Sequence, residues 1–323
     1  MQNHSKNLIK EKWDVNDVPD QRSKTAIVTG GNSGLGFEVS KSLASRGAEV
    51  ILASRNLDKG REAIEKIGGD AIAPLVLMQL DLADLSSVRS FCDEFLKKHK
   101  SLHMLFNNAG VMQVPQLRTV DGFELQLGIN HLGHFALTGL LLKRILSTKG
   151  SRIITVSSGA HRTGNIDFND IMKEKTYGRL AAYSQSKLAN LLFAYELQRR
   201  LDLIGSSTIS VAAHPGYAAT NLQMTGPGMG GGWGYTTLYK VTNKLLAQSA
   251  LMGALPILYA GTAEDVRGGD YYGPRSFGGM RGNPKLVQSN KKSHDEDLGK
   301  QLWERSVELT KVSYEDLLSS KSH

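Results

Sequence analysis

Runs of apolar and β-branched residues alternate along the chain with longer stretches of helical periodicity. The strand-like runs occupy residues 25–30, 49–54, 75–82, 102–110, 152–158 and 208–216. Each run is nearly all apolar, which is the pattern of strands that are covered on both faces of a parallel sheet. The alternation therefore predicts an α/β fold, in which a doubly wound parallel sheet carries helices on both faces.

No internal repeat, low-complexity tract or linker divides the 323 residues. We therefore expect a single domain over residues 21–323, preceded by an N-terminal arm at residues 1–20. The glycine-rich stretch 225–235 is too short for an interdomain linker and is well placed to form a loop over a site. We predict a substrate loop and lid over about residues 221–283 and a C-terminal helix over about residues 293–312.

The composition argues against several classes of protein. The single cysteine, Cys92, can form no disulfide within the chain and no CxxC pair, which fits a cytoplasmic location. No apolar run has the length of a signal peptide or of a membrane span, so we expect neither secretion nor a membrane-spanning segment. The net charge is +8, but 39 Lys and Arg are interspersed with 31 Asp and Glu. Nucleic acid is therefore not an expected partner.

The sequence TGGNSGLG, from Thr29 to Gly36, directly follows the first predicted strand and opens a helix. In such a loop Gly30 permits a sharp turn, Gly34 lets backbone N–H groups approach a pyrophosphate, and Gly36 lets the helix pack close to the sheet. An ordinary turn between strand and helix is the alternative. The position inside the first βαβ unit favours a Rossmann-type dinucleotide site. The GK[ST] ending of a P-loop is absent, which argues against nucleotide triphosphate hydrolysis.

The end of the second predicted strand bears on the choice between NAD and NADP. About 20 residues after the glycines, a dinucleotide fold places a carboxylate on the ribose 2′-hydroxyl of NAD. This chain has Ser54, Arg55 and Asn56 there. A carboxylate would repel a 2′-phosphate, whereas Ser54 and Arg55 can donate hydrogen bonds to one. The sequence favours NADP, with NAD as the alternative if Arg55 is a solvated loop residue.

A second constellation indicates catalysis. In YSQSK, Tyr183 and Lys187 are four residues apart in a segment of helical periodicity, so both side chains lie on one helix face. An isolated tyrosine has a pKa of ~10, and a nearby ammonium that favours the phenolate would lower it towards neutrality. Ser158 and Asn108 end two other predicted strands, and Asn130 lies in GINHLGHF. These polar groups are expected at the carboxyl edge of the sheet, where open α/β sheets bind ligands.

These motifs, in this order, resemble those of the short-chain dehydrogenase/reductase family over residues 24–222. TGGNSGLG matches the family's TGxxxGxG, and NNAG at residues 107–110 matches its NNAG. The stretches VSSGAHRTG and AYSQSKLAN are most similar to the branch of the retinol dehydrogenases and protochlorophyllide reductases. The resemblance implies a catalytic tetrad that consists of Asn130, Ser158, Tyr183 and Lys187.

The resemblance also implies a cofactor site. Asp81 in LDL matches the family's adenine-side aspartate, and HPGYAAT matches the segment that meets the nicotinamide carboxamide. The implied cofactor-binding residues are Gly30, Asn32, Ser33, Gly34, Leu35, Gly36, Ser54, Arg55, Asn56, Asp81, Leu82, Asn108, Ala109, Gly110, Tyr183, Lys187, Pro215, Gly216 and Thr220.

The implied reaction is hydride transfer between a nicotinamide and a carbonyl or alcohol. Tyr183 would give the proton to the substrate oxygen, and Ser158 would hold that oxygen by a hydrogen bond. Lys187 would bind the nicotinamide ribose and lower the pKa of Tyr183, while Asn130 would orient a water that connects Lys187 to solvent. A non-catalytic dinucleotide-binding sensor or scaffold is the alternative, against which the complete tetrad argues.

The spacing between Ser158 and Tyr183 is longer than is usual in the family. The retinol dehydrogenase branch and the carbonyl reductases carry a similar insertion, and in the latter it covers the helix face that other members use to dimerise. The resemblance therefore implies a monomer or a homodimer.

Several other side chains have two interpretations. Met112, Met224, Met229 and Trp233 can line a pocket for an apolar substrate or pack in the core.

The histidines are expected to be structural rather than metal ligands. His131 and His134 are three residues apart, but no third ligand stands at metal-binding spacing, so no metal is predicted. His214 is expected to be structural. His161 either borders the substrate or lies in a surface loop.

Overall fold

A computed structural model describes residues 12–217 and 248–317 of the protein. Its described strands form one 8-stranded sheet in the order β3-β2-β1-β4-β5-β6-β7-β8. The strands are β1 Thr25–Thr29, β2 Glu49–Ser54, β3 Leu75–Gln79, β4 Met104–Asn107, β5 Arg152–Val156, β6 Ile209–Ala213, β7 Tyr271–Ser276 and β8 Arg281–Leu286.

All neighbouring strands are parallel except β7 and β8, which pair antiparallel. The first strand lies between β2 and β4, so the strand order reverses beside it. In a doubly wound sheet, such a reversal opens a crevice at the carboxyl ends of the two strands. Thr29 and Asn107, the last residues of β1 and β4, therefore lie at the edge of this crevice.

Helices connect the strands. They are α1 Gly34–Ser45, α2 Leu57–Ile67, α3 Leu85–Lys98, α4 Gly133–Leu146, α5 Arg179–Leu203, α6 Ala250–Thr262 and α7 Glu296–Thr310. A short α-helical turn at Leu125–Leu127 and a π-helical segment at Gly128–Leu132 lead directly into α4. The alternation of strand and helix confirms the predicted Rossmann-type α/β fold.

The sheet is buried on both faces. Successive residues of a strand point to opposite faces, and Ile27 and Val28 of β1 accordingly belong to two different cores. Phe135 of α4 packs in the core of Ile27, whereas Leu43 of α1 packs in the core of Val28. This double coverage explains why the predicted strands are almost entirely apolar.

The sequence did not predict β7 and β8. Their segment, GGDYYGPRSFGGMRGNP, is rich in the glycine and proline that favour turns. The pair lies at one edge of the sheet and its register shifts between Pro274 and Ser276, where proline is tolerated. The described part of the expected lid thus contributes α6 and β7 to the core of the fold. Residues 218–247 lie outside the described part of the chain.

Both ends of the described chain pack on the sheet layers. Trp13, in the expected N-terminal arm, is buried, and its ring lies 5.0 Å from that of Tyr259, edge on. The C-terminal helix begins at Glu296 rather than at residue 293, because the side chain of Asp295 caps it by accepting a hydrogen bond from the Leu298 N–H at 3.0 Å.

Candidate active site

The glycine-rich loop has the backbone that its sequence predicts. Gly30 and Gly34 have φ angles of +65° and +55°, in the left-handed region that favours glycine. A Cβ atom on Gly36 would lie 2.3 Å from the carbonyl oxygen of Gly30. Ser33 precedes α1 without capping it through its side chain. The Ser33 side chain thus leaves the first N–H groups of α1 available, and such N–H groups at a helix N-terminus can bind an anion.

A cavity of about 390 Å³ runs along the crevice from the end of β2 towards Asn130. Its lining brings together fourteen of the residues that the sequence predicts for the cofactor. They are Gly30, Asn32, Ser33, Gly34, Leu35, Gly36, Ser54, Arg55, Asn56, Asp81, Leu82, Asn108, Ala109 and Gly110. The predicted residues Tyr183, Lys187, Pro215 and Gly216 do not line this cavity, and Thr220 lies outside the described residues.

Thr29 joins the glycine-rich loop to the NNAG segment. Its hydroxyl oxygen accepts hydrogen bonds from the N–H groups of Asn108 and Ala109, both at 2.9 Å. The side-chain amide of Asn108 donates to the carbonyl oxygen of Thr29 at 2.8 Å. The ends of β1 and β4 are thus fixed side by side. Thr29 was not predicted as a site residue, although it is the first residue of TGGNSGLG.

The end of the cavity beside β2 carries two cations. Arg55 and Lys59 both line it. The hydroxyl of Ser54 donates to the carbonyl oxygen of Asn56 at 2.9 Å, so its proton has a partner within the loop. The side chain of Asn56 caps α2 by accepting from the Lys59 N–H at 3.0 Å. Sequence reasoning missed Lys59, whose place in the first turn of α2, four residues after Arg55, is the signal that points to it.

The four residues of the implied tetrad come from three elements. Ser158 follows β5, Asn130 lies in the π-helical segment, and Tyr183 and Lys187 lie on α5. Tyr183 and Lys187 are 5% and 3% exposed. The Lys187 Nζ lies 5.7 Å from the ring centroid of Tyr183.

Gly110, which lines the cavity, also lies close to two tetrad residues. A Cβ atom on Gly110 would lie 2.9 Å from the Asn130 Oδ1 and 3.7 Å from the Lys187 Nζ. The absence of a side chain at this position therefore leaves room beside both polar groups. None of the four tetrad residues lines the cavity, and Gly110 is the lining residue that lies against Asn130 and Lys187.

Hydrogen bonds tie the end of β5 to α5. The Lys187 ammonium and the Asn190 side-chain amide both donate to the carbonyl oxygen of Val156, at 3.1 and 3.0 Å. The Ser157 hydroxyl donates to the carbonyl oxygen of Lys187 at 2.8 Å. These bonds fix Ser158, the next residue, relative to Tyr183.

Burial determines the protonation of the tyrosine and the lysine. It raises the pKa of Tyr183 to about 12, while the hydroxyl of Ser158 acts in the opposite direction. Burial lowers the pKa of Lys187 to about 8. The sequence led us to expect a lowered tyrosine pKa. The structure gives the reverse because loss of hydration disfavours the phenolate more than its neighbours favour it. Tyr183 is therefore a neutral phenol, which is the form that donates a proton.

The side chain of Asn130 is occupied by protein partners. Its amide group donates to the carbonyl oxygen of Val111 and to the Ser186 hydroxyl, both at 2.9 Å. Its Oδ1 accepts from the Val111 N–H at 2.8 Å. Both amide protons are thus used, so this side chain holds the segment after β4 against α5.

The histidines near the site are buried. His161 is 1% exposed, and its Nδ1 lies 2.6 Å from the carbonyl oxygen of Ser158, so it does not lie in an exposed loop. Its Nε2 accepts from the Asn290 N–H at 3.3 Å. His214 accepts from the Gly216 N–H at 3.3 Å. Within residues 12–217 and 248–317, no three His, Cys, Asp or Glu side chains group in a way that could hold a metal ion.

Comparison with known proteins gives a family match over most of the chain. The family described as short chain dehydrogenase matches residues 24–227. Human retinol dehydrogenase 12 is 48% identical over 200 residues, which cover 62% of this chain and 63% of that protein. Polyprenol dehydrogenase from Danio rerio is 38% identical over 310 residues, which cover 94% of this chain and 91% of that protein.

A solved structure has the same fold. It is the crystal structure of an uncharacterized protein from Mycobacterium paratuberculosis, which is 41% identical to this chain. The match has a TM-score of 0.78 and covers 94% of this chain and 99% of the other. None of the helices in the described part of this chain combines the length and the apolar character that crossing a bilayer requires. The cytoplasmic location stays a prediction.

Proposed function

Because the chain belongs to the short-chain dehydrogenase/reductase family, whose members interconvert alcohols and carbonyls, we propose that its cofactor is NADP and that its substrate is an apolar alcohol or aldehyde. The observation that carries the cofactor proposal is the pair of cations, Arg55 and Lys59, at one end of the cavity. NAD is the alternative.

The pair suits the 2′-phosphate of NADP by charge and by position. Arg55 can donate two parallel hydrogen bonds to phosphate oxygens, and Lys59 adds a point charge. Arg55 precedes α2 and Lys59 lies in its first turn, and the N-terminus of this helix also carries a positive partial charge. The residues that end β2 in this cavity, from Ser54 to Asn56, include no carboxylate that would select the ribose hydroxyl of NAD.

The glycine loop and the uncapped start of α1 fit the pyrophosphate, and the space beside Gly110 fits the nicotinamide end. When bound, the cofactor supplies or accepts the hydride. We assign Lys187 to the ribose hydroxyls, since its ammonium has one protein acceptor, Val156, at 3.1 Å and can donate two further hydrogen bonds.

In the reductive direction, we assign the proton transfer to Tyr183. As the carbonyl carbon gains a hydride, its oxygen gains negative charge and needs hydrogen-bond donors. The Ser158 hydroxyl donates one hydrogen bond, and the neutral phenol of Tyr183 gives its proton, so that the carbonyl becomes an alcohol. The ammonium of Lys187 then favours the phenolate electrostatically until solvent returns the proton.

Two observations support an apolar substrate. Met112, Val114 and Ile129 line the cavity, and Ile129 directly precedes Asn130 in the chain. The relatives named retinol dehydrogenase and polyprenol dehydrogenase carry the names of long isoprenoid alcohols. We therefore propose that an extended apolar alcohol, or the corresponding aldehyde, is the substrate.

The packing of α7 supports a monomer. Trp303 of α7 lies edge on against Phe135 of α4, with ring centroids 5.2 Å apart, and stacks on Phe193 of α5 at 5.9 Å. The C-terminal helix thus covers faces of α4 and α5 that are then closed to a second copy. Light scattering of the purified protein would show a monomer mass, and a dimer mass would contradict this proposal.

A direct assay tests the function. Oxidation of NADPH and of NADH is followed with a panel of aldehydes that runs from short polar ones to long isoprenoid ones. The proposal predicts turnover with NADPH, at rates that rise with chain length. Higher kcat/KM with NADH would contradict the cofactor proposal, and a preference for short polar aldehydes would contradict the substrate proposal.

A further inference from the structure

His134 lies at the start of α4 between two parts of the site. It is 2% exposed. Its Nε2 lies 2.9 Å from the hydroxyl oxygen of Thr29, in the glycine-rich loop, and its Nδ1 lies 3.1 Å from the carbonyl oxygen of Asn130. One buried ring thus touches both the cofactor loop and the backbone of a tetrad residue.

The hydrogen bonds at Thr29 determine which ring nitrogen carries the proton. A hydroxyl oxygen has two lone pairs and one proton. The N–H groups of Asn108 and Ala109 occupy both lone pairs of the Thr29 hydroxyl. No lone pair of the hydroxyl is then left for an N–H of His134, so the Nε2 carries no proton and faces the hydroxyl as an acceptor. The single hydroxyl proton lies between two acceptors, the Nε2 at 2.9 Å and the carbonyl oxygen of Phe106 at 3.1 Å.

The other nitrogen must then be protonated. A carbonyl oxygen only accepts, so a hydrogen bond to Asn130 requires an N–H at the Nδ1. In the opposite tautomer, the Nε2–H would point at the Thr29 hydroxyl, which has no free lone pair, and the bare Nδ1 would face the Asn130 carbonyl oxygen. The imidazolium is also disfavoured, because it too carries a proton on the Nε2. Burial also lowers the pKa of His134 to about 4, which agrees with a neutral ring.

Each end of this ring reaches a group with several partners. Thr29 fixes Asn108 and Ala109, which line the cavity. Asn130 fixes Val111 and the Ser186 hydroxyl, next to Lys187. A movement of either group therefore alters the bond that His134 makes to it.

We propose that His134, held in its Nδ1–H form, is a positioning residue that couples the glycine-rich cofactor loop to the Asn130 end of the tetrad. Its bond to Thr29 supports cofactor binding, and its bond to Asn130 supports the catalytic geometry. The second half of the proposal rests on the proposed function, whereas the tautomer and the bond to Thr29 do not.

The tautomer is tested first, without any measurement of activity. Nitrogen NMR of histidine-labelled protein distinguishes the two neutral tautomers and the imidazolium, and the variant His134→Asn identifies the signal. At pH 7 we expect the Nδ1–H tautomer with and without NADPH. An Nε2–H tautomer or an imidazolium would overturn the proposal, even if the enzyme proved fully active.

Two variants separate the two bonds. In His134→Asn the amide nitrogen can replace the Nδ1 donor, whereas in His134→Gln the amide oxygen can replace the Nε2 acceptor. Loss of one buried hydrogen bond corresponds to a change of about 3- to 10-fold. We expect His134→Asn to raise the Kd for NADPH by about that factor with kcat nearly unchanged, and His134→Gln to lower kcat with Kd nearly unchanged.

The matched control is His131→Asn, which alters a buried histidine one turn earlier that bonds Ser306 instead, at 2.9 Å. It should lower stability and leave both kcat and Kd near their original values. If the two His134 variants change kcat and Kd in parallel, or change neither, His134 has no separate positioning roles and the proposal is wrong. If both fail to fold, sequential resonance assignment identifies the His134 signal, and the tautomer of the unaltered protein decides.

Discussion

The Nζ of Lys187 lies 5.7 Å from the ring centroid of Tyr183, and both side chains are almost fully buried. Burial acts on the two groups in the same sense, because it favours the neutral form of each. It raises the pKa of the phenol to about 12 and lowers that of the ammonium to about 8. At neutral pH, Tyr183 is therefore a neutral phenol that can donate a proton, and Lys187 is an ammonium whose pKa lies close to neutrality.

Replacing the proton donor tests this arrangement. Tyr183→Phe removes the phenolic proton and keeps the ring, so we expect kcat to fall by about 10²- to 10⁴-fold while the Kd for NADPH changes little. Steady-state kinetics and a binding titration measure the two quantities. Tyr195→Phe, on the same helix but bonded to Ser289, is the control and should retain full activity. A Tyr183→Phe variant with most of its activity would refute the assignment.

If Arg55 and Lys59 bind the 2′-phosphate, replacing them will change the cofactor preference. Lys59→Ala and Arg55→Ala each remove a charge-assisted hydrogen bond to the 2′-phosphate, so the KM for NADPH should rise about 10-fold or more while the KM for NADH stays within about twofold. Arg61→Ala, on the exposed side of α2 where Arg61 pairs with Asp58, is the control. Equal losses with the two cofactors would show that these cations do not recognise the phosphate.

A methyl group on Gly36 tests the cofactor loop. Its Cβ would lie 2.3 Å from the carbonyl oxygen of Gly30 and 2.7 Å from the Asn108 Nδ2, so the loop must shift. We expect Gly36→Ala to weaken NADPH binding and to lower the free energy of unfolding by about 1–3 kcal/mol. A Cβ on Gly69 meets nothing within 4 Å, so Gly69→Ala should change neither quantity. Normal binding by Gly36→Ala would contradict the described loop.

Buried neutral histidines predict loss of stability in mild acid. Burial lowers the pKa of His131 from 6.5 to about 3. Below pH 6.5 the unfolded chain binds a proton at this residue and the folded chain does not, so stability falls as the pH falls, until about pH 3. Each such residue contributes a slope of about 1.4 kcal/mol per pH unit within that window.

Denaturant titrations between pH 7 and pH 4 measure this slope. We expect the variant His131→Gln, whose amide can still bond Ser306, to show a smaller pH slope than the unaltered protein, whatever its stability at pH 7. An unchanged slope would mean that His131 is protonated in the folded state. Lys291→Gln, on the surface, is the control.

Local sequence patterns predicted much of the fold and the site because they reflect local geometry. The buried parallel strands are apolar on both faces, and the register of Tyr183 and Lys187 follows from the pitch of a helix. The pair β7 and β8 was missed because Gly and Pro at a sheet edge are indistinguishable in sequence from a turn. The position of the C-terminal helix over α4 and α5 was also not predicted, because it depends on contacts of Trp303 with Phe135 and Phe193, which are distant in sequence.

The parts of the site that the sequence did not reveal are set by three-dimensional neighbours. Lys59 joins Arg55 only because the chain enters a helix between them. His134 is one residue among several near Asn130 until the fold places Thr29 against its ring. The pKa of Tyr183 was predicted with the wrong sign because the sequence shows the neighbouring cation and not the depth of burial.

The ratio of kcat/KM for NADPH to that for NADH, measured with one long apolar aldehyde, tests the proposed function most directly. We expect a ratio well above one for the unaltered protein, a ratio close to one when both Arg55 and Lys59 are replaced by Ala, and turnover with either cofactor lowered by about 10²- to 10⁴-fold when Tyr183 is replaced by Phe. A ratio below one for the unaltered protein, or a Tyr183→Phe variant that keeps most of its turnover, would contradict the proposed function.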